Sequence, residues 1–185
     1  MITKNFIRIL NMFTDSNNDG KYRVNLFITD ATGKDVHWDY SNGVDTTFQS
    51  VTSKIFMCTG LTNINDDSTS NNTGIFLGSG GGTPSQDDYC LSNPIEFSDD
   101  GLSITKSYSI HNAYKDTLYI HTRIVKNQSS DPITVNECGL FSHIAFSGYN
   151  YSPNCKTTFL WARETFDPIT IQPGEVRSFV MTIKI

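Results

Sequence analysis

The spacing of hydrophobic residues along the chain changes after residue 14. Before that point, apolar side chains recur at intervals of three and four residues, at Phe6, Ile9, Leu10 and Phe13. This is the spacing of one face of an α-helix. A helix of about three turns is too short to be stable alone, so it must pack on something. The stripe fits two arrangements: a helix packed on its own domain, or an arm docked on a neighbouring subunit.

From Tyr22 onward, apolar and polar residues alternate with the period of a β-strand. Segments rich in glycine, asparagine and aspartate separate the runs, as turns do. This pattern predicts an all-β fold, an antiparallel β-sandwich with a short N-terminal helix. We expect a short helix or docking arm at residues 1–14 and a single β-sandwich domain at residues 15–185. The main runs are Tyr22–Thr29, Phe48–Cys58, Thr105–Ile110, Thr117–Val125, Pro168–Ile171 and Phe179–Ile185.

Two of these runs predict more detail. In Thr117–Val125, Ile120 and Ile124 share one face with Leu118 and Thr122, and Tyr119, His121 and Arg123 share the other, which predicts a half-exposed strand. At the C-terminus, Phe179, Met181, Ile183 and Ile185 point one way, so that face is expected to be buried. The turn residues 172–175 are expected to join this last strand to Pro168–Ile171 as a hairpin.

Composition narrows the class of partner. At 185 residues, one domain with a sizeable core is the default. Only 18% of the residues are charged, and the formal net charge is −5. A negative balance disfavours nucleic acid, because phosphates need a basic surface. No apolar run reaches the ~18 residues that a membrane span needs, so a membrane is not an expected partner. Nucleic acid is not an expected partner either, because of the negative net charge.

The cysteines are expected to be separate, reduced thiols. Lys4 and Arg8 interrupt the apolar N-terminus, which does not fit a signal peptide. Without export, disulfides are not favoured. No pair among the cysteines has the CxxC spacing typical of zinc ligands. The four residues are Cys58, Cys90, Cys138 and Cys155.

The sequence shows no catalytic constellation, so we expect neither enzymatic activity nor a cofactor. Its four histidines have no paired spacing for a metal site. Adjacent aspartates, such as Asp87 and Asp88, are typical of solvated turns. Asp15–Gly20 matches the first half of a calcium loop, but Leu26 occupies the position of the bidentate glutamate, and a turn explains the same residues.

The most informative segment is the glycine-rich run within Ile75–Ile95. Its last glycine is followed by Thr83 and Pro84, where a P-loop needs lysine and a hydroxyl residue to reach phosphate and metal. The dinucleotide-binding glycine pattern fails as well, because its sixth position is not glycine. We therefore expect a structured connection, whose glycines allow positive φ and close backbone approach and whose Pro84 stiffens the exit.

The same segment resembles part of the small virion proteins of tailed bacteriophages, in which an apolar strand leads into a glycine loop, a proline, an acidic pair with tyrosine, and Asn-Pro-Ile. Two further segments resemble that family in the same order, Ile133–Phe141 and Arg163–Ile185, and so does the opening Met1–Phe13. Phage tail-collar fibre proteins carry a related acidic-Gly-Leu strand. The matching residues of the first segment are Gly78, Gly80, Thr83, Pro84, Asp87, Asp88, Tyr89, Leu91, Asn93, Pro94 and Ile95.

The resemblance implies a structural protein of the virion, assembled in the host cytoplasm and belonging to the tail, baseplate or neck. Its implied partners are copies of itself and other virion proteins. The alternatives are a head-surface decoration or head-fibre protein, and a carbohydrate-binding module that contacts a host-surface glycan. The family pattern also holds both Glu137 and Arg163, which implies a structural ion pair between them or a Glu137 bonded to the main chain. The competing interpretation of Glu137 is a solvent-facing residue on an edge strand.

Aromatic residues make up 12% of the chain and are the other interface candidates. Exposed rings on a β-sandwich can stack on sugars, and they are equally common at subunit interfaces. The best contact segment is Ile144–Asn154. The candidates are Trp38, Tyr40, Tyr149, Tyr151 and Trp161.

Overall fold

The computed structural model describes residues 1–12, 24–40, 74–114, 117–145 and 156–184. The predicted strand Phe48–Cys58, the loop Asp15–Gly20 and the aromatic residues Tyr149 and Tyr151 lie outside these residues. The elements are α1 Lys4–Met12, β1 Val24–Thr29, β2 Asp35–Tyr40, β3 Gly74–Gly78, β4 Leu102–Tyr114, β5 Thr117–Asn127, β6 Ile133–Ala145, β7 Lys156–Ile171 and β8 Val176–Lys184.

The strands form an antiparallel β-sandwich, which confirms the predicted fold class. The first sheet has the order β3-β6-β7, and the second has the order β4-β5-β8. Strands β1 and β2 pair as a separate hairpin. The connections from β3 to β4, from β5 to β6 and from β7 to β8 each pass from one sheet to the other. In the described part of the chain, no helix is long and apolar enough to cross a membrane.

Side chains from both sheets form the main apolar core. The first sheet contributes Ile75, Leu77 and Val135, and the second contributes Val125, all of them fully buried. Each such side chain contributes roughly 1.5–3 kcal/mol relative to exposure. A smaller cluster of Leu91, Phe141 and Leu160 lies apart from it, with Ala31 and Phe76 packed against it.

The N-terminal helix packs on its own chain. The ring of Phe6 lies 4.7 Å from that of Trp161. The side-chain amide of Asn5 donates to the carbonyl of Thr29 at 2.6 Å and accepts from the Thr29 amide at 2.9 Å. Just before the helix, Ile2 forms an antiparallel bridge with Ala162. These contacts tie α1 to both β1 and β7.

Trp161 is therefore not an exposed ring for sugars or subunits. Only 3% of its surface is exposed, and it lies between Phe6 and Phe159, with the Phe159 ring stacked at 5.9 Å. Composition counts the aromatic residues, but it does not indicate that the N-terminal helix covers Trp161.

Strand β5 has one buried and one partly exposed face, but the buried face is the one that carries His121 and Arg123, and not the one that carries Ile120 and Ile124. This strand is central in the second sheet, and the face with His121 and Arg123 points inward, with 7% and 1% of these residues exposed. Arg123 donates from Nη1 to the carbonyl of Ile75 at 2.7 Å, and its guanidinium lies 5.3 Å from the ring centres of both Phe76 and Phe97. The carbonyl and the two ring faces replace part of the hydration that a buried guanidinium loses.

One face of the C-terminal strand is buried as predicted, but the strand is not part of a hairpin. Met181 and Ile183 are buried, and Ile185 lies outside the described residues. However, β7 pairs with β6 and β8 pairs with β5, so residues 172–175 connect the two sheets. The fully buried Asn127 holds this connection, because its main chain exchanges hydrogen bonds with Gly174 and Glu175.

Candidate functional site

Several residues of the three segments singled out in the sequence meet around one buried carboxylate, that of Glu137 on β6. After β3, residues 79–93 form a glycine-rich loop that returns alongside the strand it left. The Ser79 amide donates to the carbonyl of Asn93 at 2.9 Å, and the Ile95 amide donates to that of Leu77 at 2.9 Å. The loop thus leaves and returns along β3, which is the neighbour of β6 in the first sheet.

Both carboxylate oxygens of Glu137 are fully used as acceptors. Oε1 accepts from the main-chain amides of Gly80 at 3.1 Å and Asn93 at 2.8 Å. Oε2 accepts from the amide of Ser92 at 3.1 Å and from Nε and Nη2 of Arg163 at 2.9 and 2.8 Å. Such a set of donors compensates a buried charge for the water it has lost.

Arg163 on β7 is the centre of the ion-pair cluster. Its residue is 3% exposed, and its Nη1 donates to Oδ2 of Asp88 at 2.9 Å. Its Nη2 donates to Oγ of Ser92 at 2.5 Å and to the carbonyl of Gly82 at 3.3 Å. The predicted pairing of Glu137 with Arg163 is present, and the alternative of a solvent-facing Glu137 is wrong.

Asp88 belongs to the same cluster instead of being a solvated turn residue. Besides binding Arg163, its Oδ2 accepts from the amide of Ser85 at 2.8 Å. Its neighbour Asp87 is exposed and forms an ion pair with Lys4 of α1 at 2.5 Å. The glycine-rich loop is therefore held at one point by β7 and at another by the N-terminal helix.

Two glycines of the loop region are required by space and not by φ. A Cβ on Gly80 would collide with Oε1 of Glu137 and would lie 2.5 Å from the Cβ of Ser92. A Cβ on Gly78 would lie 2.5 Å from the same oxygen. Neither residue has positive φ, so that part of the expectation is wrong. Gly81, in contrast, has only the Asn136 amide nitrogen nearby, at 3.9 Å from such a Cβ.

The surroundings of Glu137 favour its charged form. Burial alone would raise its pKa, but the amides of Asn93 and Ser92, together with Arg163, outweigh burial and hold the pKa below its ordinary value of 4.5. The two neighbouring thiols are disfavoured as thiolates. Burial raises the pKa of Cys138 to about 12, and burial followed by the charge of Asp88 raises that of Cys90.

These contacts give the cluster a structural capability and not a catalytic one. A general base needs a lone pair that can reach a substrate proton. Glu137 has five donors on two oxygens and no exposed surface. The loop amides that would hold a phosphate in a nucleotide-binding protein hold this carboxylate instead. Within the described ranges, no group of three histidine, cysteine, aspartate or glutamate residues could hold a metal ion.

The remaining candidates lie at the margin of the cluster. Pro84 is half-buried within the loop. Tyr89 is 40% exposed, and its ring lies 3.1 Å from where a Cβ would be on Gly33, in the turn between β1 and β2. The sequence did not single out Ser92 or Lys4. Ser92 acts through a main-chain amide as well as its hydroxyl, and no residue pattern reports a main-chain contact.

Comparison of the chain with protein-family models, with curated proteins and with solved structures finds no match.

A pair of glycine substitutions tests the space requirement. Gly80→Ala should lower the free energy of unfolding by about 1–3 kcal/mol, because the new methyl group overpacks the carboxylate. The matched control Gly81→Ala should change it by less than about 0.5 kcal/mol. Urea unfolding monitored by circular dichroism measures both. Equal effects of the two substitutions would show that the loop does not approach Glu137 closely.

Acid unfolding tests the charge of Glu137. Because its pKa is lower in the folded state than in the unfolded state, its stabilisation is complete above about pH 4.5 and is lost as the pH falls through the folded pKa. Glu137→Gln should cost roughly 3–5 kcal/mol at pH 7, because it leaves Arg163 without its main partner. It should also flatten the decline of stability below pH 4.5.

The control for that experiment is Glu96→Gln, which changes an exposed glutamate. It should keep the stability at pH 7 and the acid-dependent decline of the unmodified protein. If Glu137→Gln declined as steeply in acid as the control, Glu137 would not be the group that titrates.

Proposed function

We propose that this chain is a structural component of a tailed-phage virion, in the tail, baseplate or neck, and that it acts by assembly with itself and neighbouring virion proteins. The observation that carries the proposal is the convergence of the phage-like residues. Gly78, Gly80, Asp88, Glu137 and Arg163 come from three separated parts of the chain and meet at one ion pair.

That convergence supports the resemblance because unrelated local similarities would not be expected to meet in space. Together these residues hold the glycine-rich loop against the first sheet, through the contacts that the loop makes with Glu137 and Arg163. A structural protein acts through its shape, so it needs residues such as these, which hold the fold in place. The saturated Glu137 supports the same interpretation, since it offers no free lone pair for chemistry.

The surface also suits assembly. The two most exposed large hydrophobic residues in the described part of the chain are Val180 at 58% and Val176 at 52%. They lie four residues apart on β8, so both point to the outer face of the second sheet. Grouped apolar exposure on one strand is typical of a surface that another protein covers.

Immunolabelling of intact particles tests the proposal. Antibodies raised against the purified chain should label the tail, baseplate or neck of the phage that encodes it in electron micrographs, and mass spectrometry of purified particles should detect the chain. Serum first depleted with the purified chain is the control and should give no label. Label confined to the head would favour a head-surface role, and purified particles free of the chain would contradict a virion function.

A further inference from the structure

A cleft lies between β7 of the first sheet and β8 of the second sheet. The cleft has a volume of about 430 Å³. Every residue from 177 to 183 of β8 borders it, and so do Phe166 and Ile169 of β7 and the N-terminal residues Met1 and Ile2. Side chains of both orientations along one strand can border the same cleft only where the strand's main-chain edge lies beside it. The cleft therefore runs along the edge of β8.

Along this edge, main-chain amide and carbonyl groups of β8 are not paired with another described strand. Strand β8 pairs with β5 on one side, and among the described residues no strand pairs with its other side. The pairing with β5 runs without a register shift from Val176 to Ile183, so the edge is regular. An edge strand of nine residues thus presents a row of amides and carbonyls that another strand can bind.

Between its charged residues Arg177 and Lys184, the edge also lacks the features by which soluble proteins prevent strand pairing. Such features are proline, bulges and charged side chains on the strand. Between Ser178 and Ile183, β8 has no charged residue, proline or glycine. Its outward residues include Val176 and Val180, which are more than half exposed. An uncharged edge with exposed valines can pair with a strand of another protein chain.

We infer that β8 pairs in antiparallel fashion with β8 of a second copy of this chain, joining two second sheets into one sheet of six strands. This inference rests on the proposed function and names the surface through which the protein assembles with itself. A two-fold axis through Val180 makes the contact the same for both copies and closes it at two. The register keeps inward and outward side chains on their own sides, because paired positions differ by an even number of residues.

The chemistry of the paired positions favours a second copy as the occupant. With Val180 on the axis, Val180 lies opposite itself, Ser178 opposite Thr182, and Arg177 opposite Ile183. No like charges face each other in this register, and cross-strand pairs of β-branched residues are favourable.

The lining of the cleft complements the strand that would enter its edge. The inward residues Phe179, Met181 and Ile183 of the second copy are apolar and would lie against a cleft that already holds Phe166 and Ile169.

Light scattering after size exclusion tests the inference, at micromolar concentration. The unmodified chain should have the mass of a dimer. Val180→Lys should shift it to the monomer mass, because two lysines would meet on the axis. Thr170→Lys is the matched control, since it adds the same charge at an exposed position of β7, and should leave the dimer intact. A monomeric unmodified chain, or a Val180→Lys variant that stays dimeric, would overturn the inference.

A cysteine variant guards against loss of folding in Val180→Lys. Val180→Cys should form a covalent dimer under mild oxidation, since the Cα atoms of opposed antiparallel residues lie about 4.5–5.5 Å apart, within reach of a disulfide. The unmodified chain under the same oxidant controls for its own cysteines, and Val176→Cys should not crosslink, because its partner position is Lys184. Crosslinking at Val176 but not at Val180 would contradict the register.

The outcome is separable from that of the particle labelling. A dimer paired at Val180 but missing from virions would support this inference and remove the proposed function. A chain found in virions but monomeric at micromolar concentration would do the reverse.

Discussion

The ion pair between Glu137 and Arg163 is the interaction on which the rest of the first sheet depends. A carboxylate with no exposed surface must recover from protein groups what it loses from water. One arginine cannot saturate two oxygens, so three main-chain amides complete the set. Those amides belong to the glycine-rich loop, and at Gly78 and Gly80 the main chain lies too close to the carboxylate to leave room for a side chain. The charge thus determines the course of the loop, and the course determines the need for Gly78 and Gly80.

The two sheets differ in how the charge of a buried arginine is compensated. In the first sheet, Arg163 neutralises Glu137 and also binds Asp88. In the second, Arg123 points inward between two aromatic rings and donates to a main-chain carbonyl. Turning Arg123 and His121 inward places Ile120, Ile124 and the exposed valines of β8 on the opposite face. The alternation of the strands therefore puts these apolar side chains on the outer face of the second sheet when the two polar side chains of β5 face inward.

Local patterns predicted local structure well and long-range structure poorly. Alternation identified β1, β5, β8 and parts of β4 and β7, and the stripe around Phe6 identified the helix, because both signals depend on neighbouring residues. The same alternation did not reveal that β7 and β8 lie in different sheets, since strand partners are not encoded in spacing. It separated the two faces of β5 without showing that the one carrying Arg123 is the inner face. The pairing of Glu137 with Arg163 came from resemblance, and the amide of Ser92 has no side-chain signal at all.

Hydrogen exchange measured residue by residue by NMR tests the central role of Glu137 most directly. If its carboxylate holds the glycine-rich loop, the amides of Gly80, Ser92 and Asn93 exchange slowly in the unmodified protein under native conditions. In Glu137→Gln these three amides should exchange much faster, while those of the central strand β5 remain protected. Rapid exchange of the three amides in the unmodified protein, or rates unchanged by the substitution, would contradict the account.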